Sequence, residues 1–282
     1  MRSRRYLVPA TLVLFAFLLA ACDQSNPTPT AVDFPPPATI ATGGEVTVFA
    51  ASSLQDVFEQ IKTTAEASDL SKVTYNFAGS QALVTQLSQG AKADVFASAD
   101  EKTMIAAVNA GVVETGTYRS FASNKLVVIA APGDKSKVKT LQDLATPGTK
   151  VVLAADAVPA GNYSLQVLDK LSADPTYGSD FKSKVMSNVV SREDNVRQVV
   201  TKVQLGEADA GIVYLTDAKS AGANNVTTIG IPDQYNVIAE YFVAVLKNAP
   251  NTAGGRLFIG HLFSDDGQTS LQDFGFSPPL PR

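Results

Sequence analysis

One cysteine and one histidine are all that 282 residues supply of the two side chains that dominate transition-metal ligation and acyl-transfer chemistry. A lone Cys22 excludes a disulfide within the chain, and with His261 alone it builds no His/Cys metal cluster. A Ser-His-Asp or Cys-His mechanism would have to recruit His261. That residue stands among Ile259, Leu262 and Phe263 and reads as a packed or surface helix position. Charge is sparse too, at 18% of residues. The apolar run from Leu7 to Leu19 is broken by Pro9 and Thr11 and is too short for a membrane span. What is present is core: 45% of the residues are hydrophobic, and the length suits one large domain or two lobes.

The start of the chain reads as an address. Arg2, Arg4 and Arg5 precede the apolar run, and Leu19-Ala20-Ala21-Cys22 resembles a bacterial lipobox, in which the Cys becomes the lipid-modified first residue. Residues 1–21 are thus expected to be a lipoprotein signal peptide, with lipid attached at Cys22. Acylation with more than one chain anchors stably. Residues 22–44 follow as a tether rich in Pro, Thr and Ala, including Pro35-Pro36-Pro37, without the periodicity of a core element. As a flexible coil it would reach about 26 Å. Removing residues 1–21 removes three Arg and no acid, so the net charge goes from −4 to −7. A body this acidic argues against nucleic acid, and an anion site on it must work by local dipoles.

The body opens with such a place. Val46-Thr47-Val48-Phe49-Ala50-Ala51 reads as a strand that turns at Ser52-Ser53. It leaves as a helix with Leu54, Val57, Phe58, Ile61 and Ala65 on one face. The first N–H groups of a helix lack intrahelical partners and lie at its positive end, so an anion can sit there. A single Ser at a helix start is ordinarily only a cap, but the pattern returns. Val73, Tyr75 and Phe77 alternate as a strand, Ala78-Gly79-Ser80 turns, and Leu83, Val84 and Leu87 mark a helix. A strand at Asp94–Ala97 and a helix through Met104, Ile105 and Val108 follow, then a strand within Phe121–Ala131. Lys139–Leu144 reads as a short helix and Lys150–Ala154 as a strand; the turn 156–163 opens a helix with Leu165, Leu168 and Leu171. After Ser191-Arg192-Glu193-Asp194-Asn195, a helix carries Val196, Val199, Val200 and Val203. Ala210–Tyr214, Thr227–Ile231 and Tyr235–Leu246 read as strands, and 251–276 as two helices. The alternation predicts an α/β fold with a mainly parallel sheet. Four strand-to-helix turns, near Ser53, Ser80, Ala160 and Val196, suggest an oxyanion site at a crevice between two α/β lobes.

The same turns carry a resemblance. VFAASSL, FAGSQAL, ADVFASAD, VPAGNY, EDNVRQ and GIVYLTDA, in that order, resemble the periplasmic molybdate-binding proteins of ABC transporters, from about Glu45 to Phe276. The resemblance implies the type II periplasmic-binding-protein fold, with mixed sheets flanked by helices and two crossover strands as a hinge. It divides the body into lobe I, residues 45–122 and 238–282, and lobe II, residues 123–237. Matched motif by motif, it implies that Ser53, Ser80, Ala160, Val196 and Tyr214 bind molybdate, the first four through backbone N–H groups and the Ser and Tyr positions through hydroxyls. The first turn offers Ser52 as well as Ser53, and Asn195 before Val196 leaves room for a slip of one residue.

The implied role is that of an exported, lipid-anchored, monomeric protein on the periplasmic or extracellular face. It would carry molybdate, and tungstate of nearly equal size and charge, to an ABC permease, with no cofactor and no catalysis. The chemistry agrees, because a dianion with no proton needs donors and no acceptor. Asp156, Glu193 and Asp194 read as helix N-terminal carboxylates, and Arg197 as solvent-facing or paired with Glu193. The alternatives are another anion such as sulfate or phosphate, the latter needing a buried acceptor for its proton, or a surface lipoprotein hydrolase, which would need a nucleophile beside a base. If Cys22 is lipidated, Cys22→Ala moves the protein from the membrane fraction to the soluble fraction and leaves ligand affinity unchanged. A wild-type protein already soluble in cells contradicts the anchor.

Overall fold

The computed structural model describes residues 43–133 and 136–281. The expected signal peptide and Cys22 lie outside those residues. Of the expected tether only Gly43 and Gly44 are described, and both are already tied to the body. The Gly43 N–H donates to the Asp69 carbonyl, and the Gly44 carbonyl accepts from the Ser71 N–H at 3.1 Å. Among the described residues no helix is long and apolar enough to cross a membrane.

Strand β1 (Glu45–Ala51) leads through one 3-10 turn, Ser52–Leu54, into α1 (Gln55–Ser68). Then come β2 (Lys72–Ala78), α2 (Ser80–Ser88), β3 (Val95–Ser98), α3 (Glu101–Asn109) and the long β4 (Arg119–Ala130). The chain continues through β5 (Val151–Ala154), α4 (Pro159–Ser172), α5 (Phe181–Ser187), β6 (Val189–Glu193), α6 (Val196–Gln204), β7 (Ala210–Tyr214) and α7 (Leu215–Ala221). It ends with β8 (Thr227–Gly230), β9 (Ile238–Val245), α8 (Thr252–Phe263) and α9 (Asp265–Asp273).

The strands pair in the order β2-β1-β3-β9-β4-β7-β5-β6, with β8 on β4. β1 runs parallel to β2 and β3, and β5 parallel to β6 and β7. β9 is antiparallel to β3 and β4, and β4 is antiparallel to β7 and β8. The sheet is therefore mixed rather than mainly parallel. β4 takes the chain from the first part of the sheet to the second, and β9 brings it back against the run of its neighbours. Along β4, Arg119–Lys125 pair with β9 and Leu126–Ala130 with β7. At the changeover Asn236 stands in for a strand residue. Its Oδ1 accepts from the Leu126 N–H at 3.0 Å, and its Nδ2 donates to the Leu126 carbonyl at 2.9 Å. This is why β9 begins at Ile238 and not at Tyr235.

Helices cover both faces of the first part. Val46, Val48 and Ala50 point into the cluster that holds Phe58, Phe121 and Phe258, while Phe49 joins Leu83, Phe96, Met104 and Phe242 on the other face. That double burial explains why β1 reads as a nearly continuous apolar run. The expected helix at Lys139–Leu144 is instead a 3-10 turn at Gln142–Ala145. The Asp143 carboxylate accepts from the N–H groups of Lys139 and Thr140, at 2.9 and 2.8 Å, and holds the segment before it in a turn. α7 starts directly after Tyr214, and the sequence pattern does not mark it.

Candidate functional site

Four helices begin where strands of the two sheet parts end. Ser53 lies in the 3-10 turn ahead of α1, and Ser80 is the first residue of α2. Ala160 is the second residue of α4, after Pro159 at a position where proline suits a helix start. Val196 opens α6, with the Asn195 side chain capping it by accepting from the Gln198 N–H at 3.2 Å. Asn195 is thus the cap and Val196 the first helical residue. Tyr214 ends β7. Ser53, Ser80, Ala160, Val196 and Tyr214 are all buried.

Several contacts bring these turns together. The turn before Ser80 lies against the turn before Val196: a Cβ on Gly79 would run into the Asp194 carbonyl, and Gln81 Nε2 donates to that carbonyl at 3.3 Å. Within its own turn, Gly161 lets the start of α4 lie on the Ala154 and Ala155 carbonyls at the end of β5. Ser53 Oγ lies 3.0 Å from Tyr241 Oη, and the Tyr241 ring meets Tyr214 edge-on with centroids 5.8 Å apart. Tyr241 thus touches both Ser53 and Tyr214. Burial, and then the Asp100 carboxylate, push the Tyr163 phenol up.

The donors have a definite state. Ser80 Oγ accepts from the Ala99 N–H at 3.1 Å, which leaves the Ser80 proton to donate elsewhere. Tyr214 Oη is buried with no hydrogen-bond partner among the described residues. Burial, followed by the neighbouring Tyr241, drives its phenol well above the ordinary value, so it remains a protonated donor.

Two buried carboxylates flank this cluster, and both are engaged. Asp100 caps α3 by accepting from the Thr103 N–H at 2.9 Å. Asp217, fully buried on α7, accepts from the Tyr214 N–H at 3.2 Å and stands 3.1 Å from Arg197 Nε. Arg197 also reaches across to α1, where its Nη2 donates to Asp56 at 2.6 Å. Partial burial works against the Asp56 charge, but the Ser220 and Arg197 hydrogen bonds hold its carboxyl below the usual range. Arg197 is therefore paired with Asp56 and Asp217 rather than with Glu193 or solvent. Glu193 pairs with Lys202 at 3.1 Å and accepts from Ser191 at 2.7 Å. Asp156 pairs with Arg192 rather than serving as a free helix-end carboxylate.

A mixed two-part sheet with helix starts gathered where its strands end is the architecture of solute-capturing α/β proteins. The chain belongs to the family of bacterial extracellular solute-binding proteins, whose profile matches residues 46–277. It is 36% identical over 280 residues to the molybdate-binding protein ModA of Mycobacterium tuberculosis, covering 98% of this chain and 100% of that one. It is 32% identical to ModA of Escherichia coli, covering 84% and 91%. In fold it matches the periplasmic molybdate-binding protein of Azotobacter vinelandii with a TM-score of 0.71 at 22% identity, covering 84% of this chain and 100% of that one.

The Asp217 carboxyl carries a testable sign. Burial raises it from 3.8 to about 6, although Arg197 and the Tyr214 N–H pull it down. An acid whose folded value is raised stabilises the fold fully below its unfolded value, and that contribution is lost as pH rises through the folded value. The shift corresponds to about 3 kcal/mol at most. In urea unfolding from about pH 4 to pH 7, wild type should lose on the order of 2–3 kcal/mol relative to Asp217→Asn, which keeps an acceptor for the Tyr214 N–H. Parallel stability curves contradict this account of Asp217.

Proposed function

We propose that this chain is an exported, lipid-anchored solute-binding protein that captures molybdate, and tungstate equally well, and hands it to the membrane permease of an ABC importer. It acts as a monomer and makes or breaks no bond in its ligand. Lobe I comprises residues 45–122 and 238–282 and contributes Ser53 and Ser80. Lobe II, residues 123–237, contributes Ala160, Val196 and Tyr214. The lobes close over the anion about the β4 and β9 crossovers, since a ligand touching both favours the closed state by its differential contacts.

One observation carries this reading above the others: the phenol hydroxyl of Tyr214 is fully buried with no hydrogen-bond partner among the described residues, and Ser53, Ser80, Ala160 and Val196 at four helix starts are buried as well. Helix N–H groups and hydroxyls are neutral, rigid donors. They can replace the hydration of a dianion without bringing counter-charges that themselves need desolvating. The relatives named for molybdate binding share about a third of the sequence, over nearly the whole length of each chain.

Titration calorimetry at pH 7 and matched ionic strength, with molybdate, tungstate, sulfate and phosphate, tests the reading. Molybdate and tungstate bind alike. Sulfate is smaller and leaves some buried donors unpaired, at about 1–3 kcal/mol each, so it binds several decades more weakly. Phosphate adds a proton that a site of N–H and hydroxyl donors does not accept, and shows no binding. Tyr214→Phe and Ser80→Ala each weaken molybdate by about 1.5–3 kcal/mol. Tight phosphate binding, or hydroxyl deletions that bind like wild type, would contradict the donor-only site.

A further inference from the structure

Arg197 stands on α6 between carboxylates that belong to different parts of the sheet. Asp217 on α7 is fully buried, and its Oδ1 lies 3.1 Å from Arg197 Nε. Asp56, in the first turn of α1, accepts from Arg197 Nη2 at 2.6 Å. The two pairs differ in what holds them together. α6 and α7 pack on each other and both pack on β7, so Arg197 and Asp217 travel as one body. Asp56 is 141 positions away, on a helix that rises from β1 in the other part of the sheet.

Exposure separates them too. The Arg197 side chain is 25% exposed and that of Asp56 is 35% exposed, so water can take over from either partner when this pair parts. Asp217 has no such substitute. Without the guanidinium it would be an uncompensated buried charge, which is costly. Asp217 therefore keeps Arg197, and a planar guanidinium held at Nε presents its other nitrogens in a fixed direction. Arg197 is aimed at Asp56 before the two parts meet. A second contact joins them at the same end of α6. Gln81 Nε2 on α2 donates to the Asp194 carbonyl at 3.3 Å, and Gly79 lies so near that a Cβ there would strike that carbonyl.

We propose that Arg197 is a positioning residue that latches the solute cleft: held from behind by Asp217, it engages Asp56 only when the lobes are closed, and so sets how fast the ligand leaves. The inference rests on the reading of this chain as a two-lobed protein that closes over an oxyanion. The other role open to a cation at this end of α6 is to attract the anion directly, and the two roles give opposite signs when Asp56 is neutralised. As a direct counter-charge, Arg197 would be freed by the loss of Asp56, a repulsive acid would go with it, and binding would tighten. As a latch, Arg197 loses a contact made only in the closed state, so that state is less favoured and binding weakens. The pairing supports the latch. With carboxylates at both Nε and Nη2, the Arg197 charge is already offset twice.

The test measures two quantities at pH 7 on full-length proteins: release of radiolabelled molybdate into an excess of unlabelled molybdate, and the dissociation constant by titration calorimetry. Together they give the association rate. Asp56→Asn should release molybdate about three to ten times faster, the span of a partly exposed charged pair. Its association rate should stay within about twofold of wild type, because the open cleft lacks the contact. In a background where Arg197→Gln and Asp217→Asn remove both inner charges together, Asp56→Asn should change release no further. Should that background fail to fold, Arg197→Lys, which keeps the charge but cannot face two carboxylates with one planar group, must itself quicken release without slowing association. Unchanged release in Asp56→Asn overturns the latch and leaves the molybdate reading intact. Slower release with tighter binding overturns it in favour of a direct counter-charge. Equal acceleration with and without Arg197 overturns it as well, by showing that Asp56 acts through the start of α1. A wild type that binds no molybdate overturns the functional reading, and the latch with it.

Discussion

In the proposed function, everything turns on how a doubly charged anion can be taken out of water by a body that is itself acidic. Bulk charge works against capture, since the chain without residues 1–21 carries a net charge of −7. The attraction has to be local, from N–H groups at helix starts and hydroxyls held in fixed directions. Such dipoles strengthen as water leaves and need no reorganisation when the ligand arrives. The proposed site asks the remaining architecture to bring four helix starts and one phenol within reach of one another and to neutralise the carboxylates nearby.

The crossover strands meet the first requirement. β4 pairs with β9 over its first half and with β7 over its second, so one strand carries both parts of the sheet. Asn236 carries the ladder through the change of partner. The second requirement falls to the carboxylates. Asp217 lies directly behind Tyr214, and left free it would repel an anion and invite a protonated one. Arg197 and the Tyr214 N–H occupy it, and Arg197 extends the same pairing to Asp56 on α1. One guanidinium thus offsets two acids and joins α1 to α6 and α7.

The local parts of this arrangement were readable in the sequence. The strand and helix periods, the small-residue turns and the valine face of α6 each depend on residues a few positions apart. Parallel and antiparallel pairing was less legible, because nothing in the alternation of Tyr241–Val245 says against which strand it will lie. α7 follows Tyr214 without a break in composition, so no local signal marks its start. Arg197 illustrates the limit. Helical spacing suggested Glu193, but its partner Asp56 is 141 positions away and only the fold brings it near. Tyr241 and Ser53 are 188 positions apart, and no local signal marks the hydrogen bond between them.

The most direct test of the account is a diffraction structure of the protein crystallised with tungstate, located by the anomalous signal of the metal. The account predicts one tungsten peak among the four helix starts. Its oxygens should lie within hydrogen-bonding distance of the N–H groups of Ser53, Ser80, Ala160 and Val196 and of Tyr214 Oη, with no carboxylate among the contacts. A peak elsewhere, or an anion touching Asp56, Asp100 or Asp217, would contradict it.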